Sequence, residues 1–174
     1  MFTNIFKATD TDKLTDNFFR VINRDWMLIT AGSIHNFNTM TASWGTTGIL
    51  WNKKIAMCFI RSTRYTYEFA EQSDHFTLSF FTEKYRDMLS YCGSHSGRSV
   101  NKVEVTGLRP VETPAGSVSF EQSRLIFECR KLYTDNLKEE NFIDKRLIGL
   151  HYPKKDFHKL FIGEITGCWE NLNP

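Results

Sequence analysis

Hydroxyl-bearing and apolar side chains alternate along residues 38–50, whose sequence is NTMTASWGTTGIL. Read as a β-strand, this stretch has two different faces, because successive side chains of a strand point to opposite sides. One face carries hydroxyl groups and a glycine: Thr39, Thr41, Ser43 and Gly45. The other face is expected to join the core: Met40, Ala42 and Trp44. Small polar side chains let a bound molecule approach the backbone closely, although the same pattern suits a threonine-rich strand that a loop covers.

Shorter apolar runs predict the other strands. They occupy residues 26–33, 55–60, 76–82 and 157–169, and residues 118–133 hold two more. Apolar residues at helical spacing predict short helices over residues 14–22, 63–72 and 83–92, with a helical turn near 139–142. Gly163 and Gly167 lie inside the last strand and indicate β-bulges or a close approach there. This order favours a mainly β, closed antiparallel barrel over a doubly wound α/β fold.

The composition predicts a single domain spanning residues 1–174. Hydrophobic residues make up 41% and charged residues 24%, which is ordinary for a globular protein. The net charge of +2 does not suggest nucleic acid or a membrane as a partner. The four cysteines have no metal-ligand spacing, so we expect free thiols, no metal site and a cytoplasmic location. Neither a signal-peptide pattern nor an apolar run long enough to span a membrane is present in the sequence.

Cations at the start of the second predicted helix indicate an anion site. Arg61 and Arg64 lie there, and no acidic residue follows before Glu68. A cation at the positive end of a helix is unfavourable by about 0.3–1 kcal/mol unless an anion compensates it. Thr63, the expected N-cap, and Thr66 would add hydroxyl groups to the site. The alternative is that either arginine pairs with an acid elsewhere in the chain or lies in solvent.

Two further stretches carry candidate binding residues. Ser96-Gly97-Arg98 can form an anion-binding loop, because glycine adopts positive φ readily and Lys102 lies close by in the sequence. An ordinary surface loop is the alternative. His158 begins the last strand, where a histidine can be structural or functional. Since the sequence has no motif for nucleophilic, metal or dinucleotide chemistry, a bound cofactor is the better source of any reactivity.

Six short motifs occur in an order that resembles a known family. They are NTMTASWG from Asn38, RxxRYTYEF from Arg61, FTLSFF from Phe76, SGR from Ser96, ECRKLY from Glu128 and HxxxxGxI from His158. Together they resemble the flavin reductase-like domain proteins, which bind FMN and have the split-barrel fold. The resemblance covers residues 25–169. It implies a six-stranded Greek-key split β-barrel with short peripheral helices, a homodimer and non-covalently bound FMN.

The resemblance also implies roles for individual positions. The flavin ring would lie beside Thr41, Ala42, Ser43 and Trp44. The ribityl phosphate would be held by Arg61, Arg64, Tyr65, Thr66, Ser96, Gly97, Arg98 and Lys102. His158 matches a histidine that lies near the flavin and the nicotinamide in related reductases, so it is the candidate catalytic residue.

Three functions remain open from the sequence. The first is an NAD(P)H-dependent flavin reductase, in which NADH or NADPH donates a hydride to N5 of FMN. The second is an FMN-binding electron carrier, similar to flavoredoxin, which a redox partner protein reduces without direct NAD(P)H activity. The third is a split-barrel or dimerisation module that has lost its flavin.

Overall fold

Antiparallel strands dominate the computed structural model, which describes residues 2–174. The strands are β1 (Phe6–Ala8), β2 (Met27–Ser33), β3 (Asn36–Ala42), β4 (Gly45–Leu50), β5 (Lys53–Arg61), β6 (His75–Phe80), β7 (Pro110–Glu112), β8 (Val118–Phe120), β9 (Leu125–Asn136) and β10 (His158–Asn171). The α-helices are α1 (Phe18–Arg20), α2 (Tyr65–Gln72), α3 (Arg86–Ser94), α4 (Lys102–Thr106) and α5 (Arg146–His151). A π-helical turn covers Val21–Asp25, and 3₁₀ turns cover Phe2–Asn4, Thr11–Lys13, Glu83–Tyr85 and Glu139–Asn141. Over residues 2–174, no helix is both long and apolar enough to cross a membrane.

The main sheet has seven strands in the order β3-β2-β6-β9-β10-β5-β4, with antiparallel neighbours throughout. Strand β1 adds to β10, and β7 pairs with β8 in a separate hairpin. The two end strands, β3 and β4, are consecutive in the chain, and only Ser43 and Trp44 separate them. The two edges of the sheet therefore meet at this connection. The predicted mainly β split-barrel fold is confirmed, with seven strands in the main path in place of six.

Aromatic side chains fill the inside of this sheet. The fully buried phenylalanines of the main cluster are Phe76, Phe80, Phe127 and Phe161. Burial of each contributes about 1.5–3 kcal/mol to folding. Strand β6 is buried on its other face as well, where the hydroxyl of Thr77 donates to the carbonyl oxygen of Val118 in β8 at 2.5 Å. The hairpin β7–β8 therefore covers β6, and its backbone satisfies a hydroxyl group that water cannot reach.

The connection between β3 and β4 differs from the sequence prediction in two ways. Residues 38–50 form two strands, and the side chain of Trp44 is 41% exposed, so it does not join the core. Thr39 is buried, and its hydroxyl lies 2.9 Å from that of Thr30. The covered-strand alternative is thus correct for Thr39, whereas Trp44 is turned outward because the chain passes from one sheet edge to the other at that residue.

The helices differ from the prediction at their ends. Helix α2 has Arg64 as its N-cap residue, so Thr63 does not cap it. Helix α3 continues to Ser94, two residues beyond the predicted end at residue 92. The first predicted helix begins later, because Asn17 caps α1 by accepting from the backbone N–H of Arg20. These shifts reflect capping by whichever residue has the required backbone geometry.

Both glycines of β10 lie where its pairing with β9 is irregular. The register shifts at Gly163 and again just before Gly167, so the predicted bulges are confirmed. A Cβ atom at Gly163 would lie 2.7 Å from Cβ of Cys129 and 2.8 Å from the ring of Phe76. The close approach of β10 to the core therefore requires a residue without a side chain at this position.

Replacing Gly163 should destabilise the fold measurably. We expect Gly163→Ala to lower the free energy of unfolding by about 1–3 kcal/mol, because the added methyl group overlaps buried atoms. Gly48→Ala is the matched control, since a Cβ atom at this β4 position meets no atom within 4 Å. Urea unfolding followed by circular dichroism measures both. Equal midpoints for the two variants would contradict the close approach.

Candidate functional site

Helix α2 begins at a cavity of about 240 Å³. Arg64, the N-cap residue of α2, has an extended backbone, and no side chain caps the helix. The backbone N–H groups of the first turn of α2 therefore lack a side-chain acceptor. The end of α3 and the loop that follows it form the opposite wall. Among the residues around this cavity are several predicted to hold the phosphate: Arg64, Tyr65, Thr66, Ser96, Gly97 and Lys102.

Two positive side chains face this cavity, and the described residues that line it include no aspartate or glutamate. Lys102 is 5% exposed, and its Nζ donates to the carbonyl oxygens of Thr39 and Cys92, both at 2.8 Å. Nη2 of Arg64 donates to the carbonyl oxygen of Gly93 at 2.8 Å. A lysine ammonium has three N–H donors. Lys102 therefore keeps one donor for a ligand.

The positive charge of both side chains is unfavourable in this environment. Burial, with a smaller contribution from the positive charge of Arg64, lowers the pKa of Lys102 to about 8. Burial also lowers the pKa of Arg64, with a smaller contribution from Arg61. An anion in the cavity would raise the pKa of both Lys102 and Arg64, because an opposite charge favours the protonated form. The residues of this cavity therefore fit a phosphate group.

The shape of the cavity depends on a glycine that packs against a buried amide. Nδ2 of Asn38 donates to the hydroxyl of Thr66 at 2.7 Å. A Cβ atom at Gly97 would overlap the side chain of Asn38 and lie 3.1 Å from the ring of Tyr65. The loop after α3 can therefore approach β3 and α2 only because residue 97 has no side chain.

A second cavity, of about 320 Å³, continues from the first along the end of β3. Ser94 lines both cavities, so they are neighbours. The predicted ring-binding residues Thr41, Ala42 and Ser43 line the second one. The hydroxyl of Thr41 donates to the carbonyl oxygen of Leu89 in α3 at 2.5 Å. The hydroxyl of Thr41 is therefore already engaged, so a ligand in this cavity would meet the backbone of Thr41 rather than its hydroxyl group.

Aromatic side chains surround His158 at the start of β10. The ring of Trp44 lies 5.1 Å from the imidazole, centroid to centroid, and the hydroxyl of Tyr152 lies 2.8 Å from Nδ1. Burial and the positive charge of Arg61 lower the pKa of His158 to about 4. The imidazole is therefore neutral at pH 7 and presents an uncharged ring next to Trp44.

Two residues predicted to hold the phosphate lie outside the cavity at the start of α2. Nη1 of Arg61 is 2.5 Å from Oδ2 of Asp156, and Nη2 donates to the carbonyl oxygen of His151 at 2.9 Å. Arg98 forms an ion pair with Glu68 on the surface. The acid-pairing alternative therefore describes Arg61, because Asp156 already supplies the counter-charge that a phosphate would otherwise provide.

The sequence of the chain matches the family described as "Flavin reductase like domain" over residues 19–174. The chain belongs to the flavin reductase-like domain family. The resemblance drawn from the six motifs is thereby confirmed. A search of curated protein sequences gives no significant match to this chain.

Solved structures share the fold of this flavin reductase-like chain. The FMN-binding domain of a flavin reductases-like enzyme from Shewanella baltica OS155 is 21% identical, with a TM-score of 0.68 over 95% of this chain and 77% of that one. Flavoredoxin from Methanosarcina acetivorans is 19% identical, with a TM-score of 0.66 over 93% and 76%. The styrene monooxygenase flavin reductase from Pseudomonas putida S12 is 18% identical, with a TM-score of 0.60 over 86% and 81%. Identities this low show a shared fold.

The candidate site also contains a residue that the sequence did not indicate. Trp26 lines the second cavity and has φ 67° and ψ 169°, a rare backbone conformation for a residue other than glycine. The guanidinium of Arg86 lies 4.0 Å from the indole centroid, and its Nη2 donates to the carbonyl oxygen of Arg24 at 2.5 Å. The sequence predicts only that Trp26 begins a strand. The contact of Trp26 with Arg86 is not visible in the sequence, because Arg86 is distant in the chain.

Proposed function

We propose that this chain binds FMN, with the phosphate in the cavity at the start of α2 and the ring along the second cavity. The observation that carries the proposal is a pair of cations, the buried Lys102 and the half-buried Arg64, in a lining whose described residues include no carboxylate, next to an open groove beside β3. Arg64 and Lys102 would neutralise the phosphate, and Thr66 and Ser96 would donate hydroxyl hydrogen bonds. Backbone N–H groups of residues 42–44 would contact the polar edge of the ring. Solved relatives described as FMN-binding support this assignment.

We further propose that the chain is an NAD(P)H-dependent flavin reductase. FMN, when bound, supplies the centre that accepts a hydride from NADH or NADPH. The contribution of the chain is to orient the two rings and to keep water away from them. Trp44 and His158 would form one wall of that site, and the neutral imidazole of His158 would add no charge to it. This role requires no catalytic acid.

A visible spectrum of the purified protein tests both proposals. The protein should carry or take up FMN, and anaerobic addition of NADH or NADPH should bleach the flavin absorbance. Colourless protein that ignores added FMN in a fluorescence titration would contradict FMN binding and favour a flavin-free split-barrel module. FMN-loaded protein that neither nucleotide bleaches would contradict the reductase proposal alone.

One observation favours a second function, an electron carrier similar to flavoredoxin. A third cavity opens beside Trp44, and its described lining residues include no lysine or arginine. This lining therefore offers no counter-charge to the phosphates of a dinucleotide. Such a carrier would receive electrons from a redox partner protein. FMN-loaded protein that dithionite bleaches and both nucleotides leave unchanged would identify this function.

We also propose a homodimer with FMN near its interface. Three apolar side chains at α5 are exposed, namely Ile143, Leu147 and Leu150, and the chain continues from them into His151 and Tyr152 beside His158. An exposed apolar patch of this kind is typical of a protein–protein interface. Sedimentation velocity should give twice the mass of the chain. A monomer at micromolar concentration, with or without FMN, would contradict the dimer.

The affinity for FMN should fall at alkaline pH. The pKa of Lys102 is about 8 in the folded chain, against 10.5 for an ordinary lysine. The charged amine therefore costs stability below pH 8, and this cost disappears as the pH rises towards 10.5. A bound phosphate needs the charged amine, so we expect the Kd of FMN to rise by up to about tenfold per pH unit above pH 8.

Riboflavin, which lacks the phosphate, is the control for this pH dependence. Its affinity should change little between pH 7 and 9, because no anion then depends on the charge of Lys102. Fluorescence titrations at fixed ionic strength measure both ligands. Parallel pH profiles for FMN and riboflavin would show that Lys102 does not contact the phosphate.

A further inference from the structure

The cavity beside Trp44 has no part in holding FMN under the proposal above. It measures about 740 Å³, within the usual range of 300–1,000 Å³ for small-molecule sites. It lies between the segment around α1, strands β4 and β5, and the chain before β10. Its large apolar walls are Phe18, Ile22, Trp44, Phe59, Leu137 and Tyr152. Such a lining favours a ligand with an apolar ring system.

The charges around this cavity are already balanced within the chain. Asp16 is the one acidic side chain among its described lining residues, and Oδ1 of Asp16 lies 2.7 Å from Nη2 of Arg124. Burial raises the pKa of Tyr152, so its hydroxyl is neutral at pH 7. A charged ligand would lose its hydration here without gaining a partner of opposite charge. The cavity therefore selects against ions.

Neutral hydrogen-bonding groups at the rim can orient a ligand. The uncharged polar residues that can supply donors to this lining are Ser43, Thr47 and Asn17, since the hydroxyl of Thr46 already donates to the carbonyl oxygen of Thr47 at 3.4 Å. These groups can donate to a carbonyl oxygen. Ser43 also lines the groove beside β3, so the cavity adjoins the place proposed for the flavin ring. A ring bound here would lie next to the flavin.

We propose that this cavity binds an uncharged organic molecule that has one or two fused rings and a carbonyl group. Its apolar walls would cover the rings, and the rim hydroxyls would hold the carbonyl oxygen. The binding itself follows from the cavity, whereas a role for the ligand as a redox substrate rests on the proposed function, in which the nicotinamide and this ligand would use the wall at Trp44 in turn. Trp44, Phe59 and Tyr152 form walls of this site and also contact His158, with ring centroids 5.1, 6.5 and 5.5 Å from the imidazole.

A pair of probes of nearly equal shape tests the charge selection. Isothermal titration calorimetry at pH 7.5 compares 2-acetylnaphthalene, a neutral ketone, with 2-naphthoate, its carboxylate counterpart. We expect the ketone to bind at least about tenfold more tightly, because an unpaired carboxylate is costly in this lining. Equal affinities, or no binding of the ketone, would overturn the proposal. If a second copy of the chain fills the cavity, the ketone will not bind.

The titration uses flavin-free protein, so its outcome does not depend on FMN binding. A protein that binds the ketone and ignores FMN supports this inference and contradicts the proposed function. A protein that binds FMN and does not bind the ketone supports FMN binding and contradicts this inference.

Variants locate the probe in the cavity. Phe59→Ala removes a wall and should weaken binding of the ketone by about tenfold. Leu172→Ala is the control, since Leu172 is an exposed apolar residue outside this lining, and it should leave the affinity unchanged. Phe59→Leu, which keeps an apolar side chain, serves if the alanine variant does not fold, and should weaken binding by a few-fold. Equal affinities for the Phe59 and Leu172 variants would overturn the location.

Discussion

Arg64→Ala should weaken FMN binding by about 10- to 100-fold, because it removes a charge-assisted hydrogen bond worth about 1.5–3 kcal/mol. Riboflavin, which lacks the phosphate, should lose little affinity. Comparing the two ligands separates the loss of a phosphate contact from a general loosening of the site. The comparison is needed because Arg64 also donates to the carbonyl oxygen of Gly93 at the end of α3. Fluorescence titration of flavin-free protein gives both constants.

Arg61→Ala is the matched control for this prediction. It removes the same charge from a position three residues away, where the guanidinium pairs with Asp156 outside the cavity. We expect the ratio of the FMN and riboflavin affinities to change by about twofold or less in this variant. If Arg61→Ala lowers the ratio more than Arg64→Ala does, the phosphate lies at Arg61 and the assignment of the α2 cavity is wrong.

His158→Ala should slow the reduction of bound FMN by NADH by about 100-fold while leaving FMN bound, since misplacing a reacting ring costs about that much. The imidazole packs against Trp44 and bonds to the hydroxyl of Tyr152, so its loss removes a wall of the nicotinamide site. Because the pKa of His158 is about 4, the wild-type rate should show no titration of this residue between pH 6 and 8. Anaerobic stopped-flow absorbance measures the rate.

His151→Ala is the control for the effect on Trp44. His151 contacts the same indole, with ring centroids 5.2 Å apart, whereas the hydroxyl of Tyr152 is hydrogen-bonded to His158. We expect a change of about threefold or less, because the carbonyl oxygen that accepts from Arg61 remains in the alanine variant. Equal slowing by both variants would assign the effect to Trp44 packing and remove a specific role for His158.

Local sequence patterns were sufficient to predict most of the strands and several residues that line the cavity at the start of α2. Alternating side chains predicted β3, and the two glycines of the last strand predicted its bulges. The motif from Arg61 and the tripeptide from Ser96 contributed residues that the structure brings around one cavity. These features are predictable because periodicity, glycine geometry and helix-end charge act over a few residues.

Contacts distant in the chain decided the rest. Arg61 and Arg64 carry the same charge and look equivalent in the sequence, but the ion-pair partner of Arg61 lies 95 residues further on. The indole of Trp26 likewise packs against the guanidinium of Arg86, which is distant in the chain. A local pattern cannot show which distant side chain satisfies a charge, because the fold alone brings such partners together.

The sequence by itself determined that this chain is a β-rich flavin reductase-like domain, and it predicted an anion-binding element at the start of the second predicted helix. The tertiary structure alone decided which arginine faces the cavity at the start of α2, that Trp44 is exposed in the connection between β3 and β4, and that a largely apolar cavity lies beside it. The physical reason is the distance along the chain between the residues that interact. Strand formation follows from neighbouring residues, whereas counter-charges and cavities arise where segments far apart in the sequence pack together.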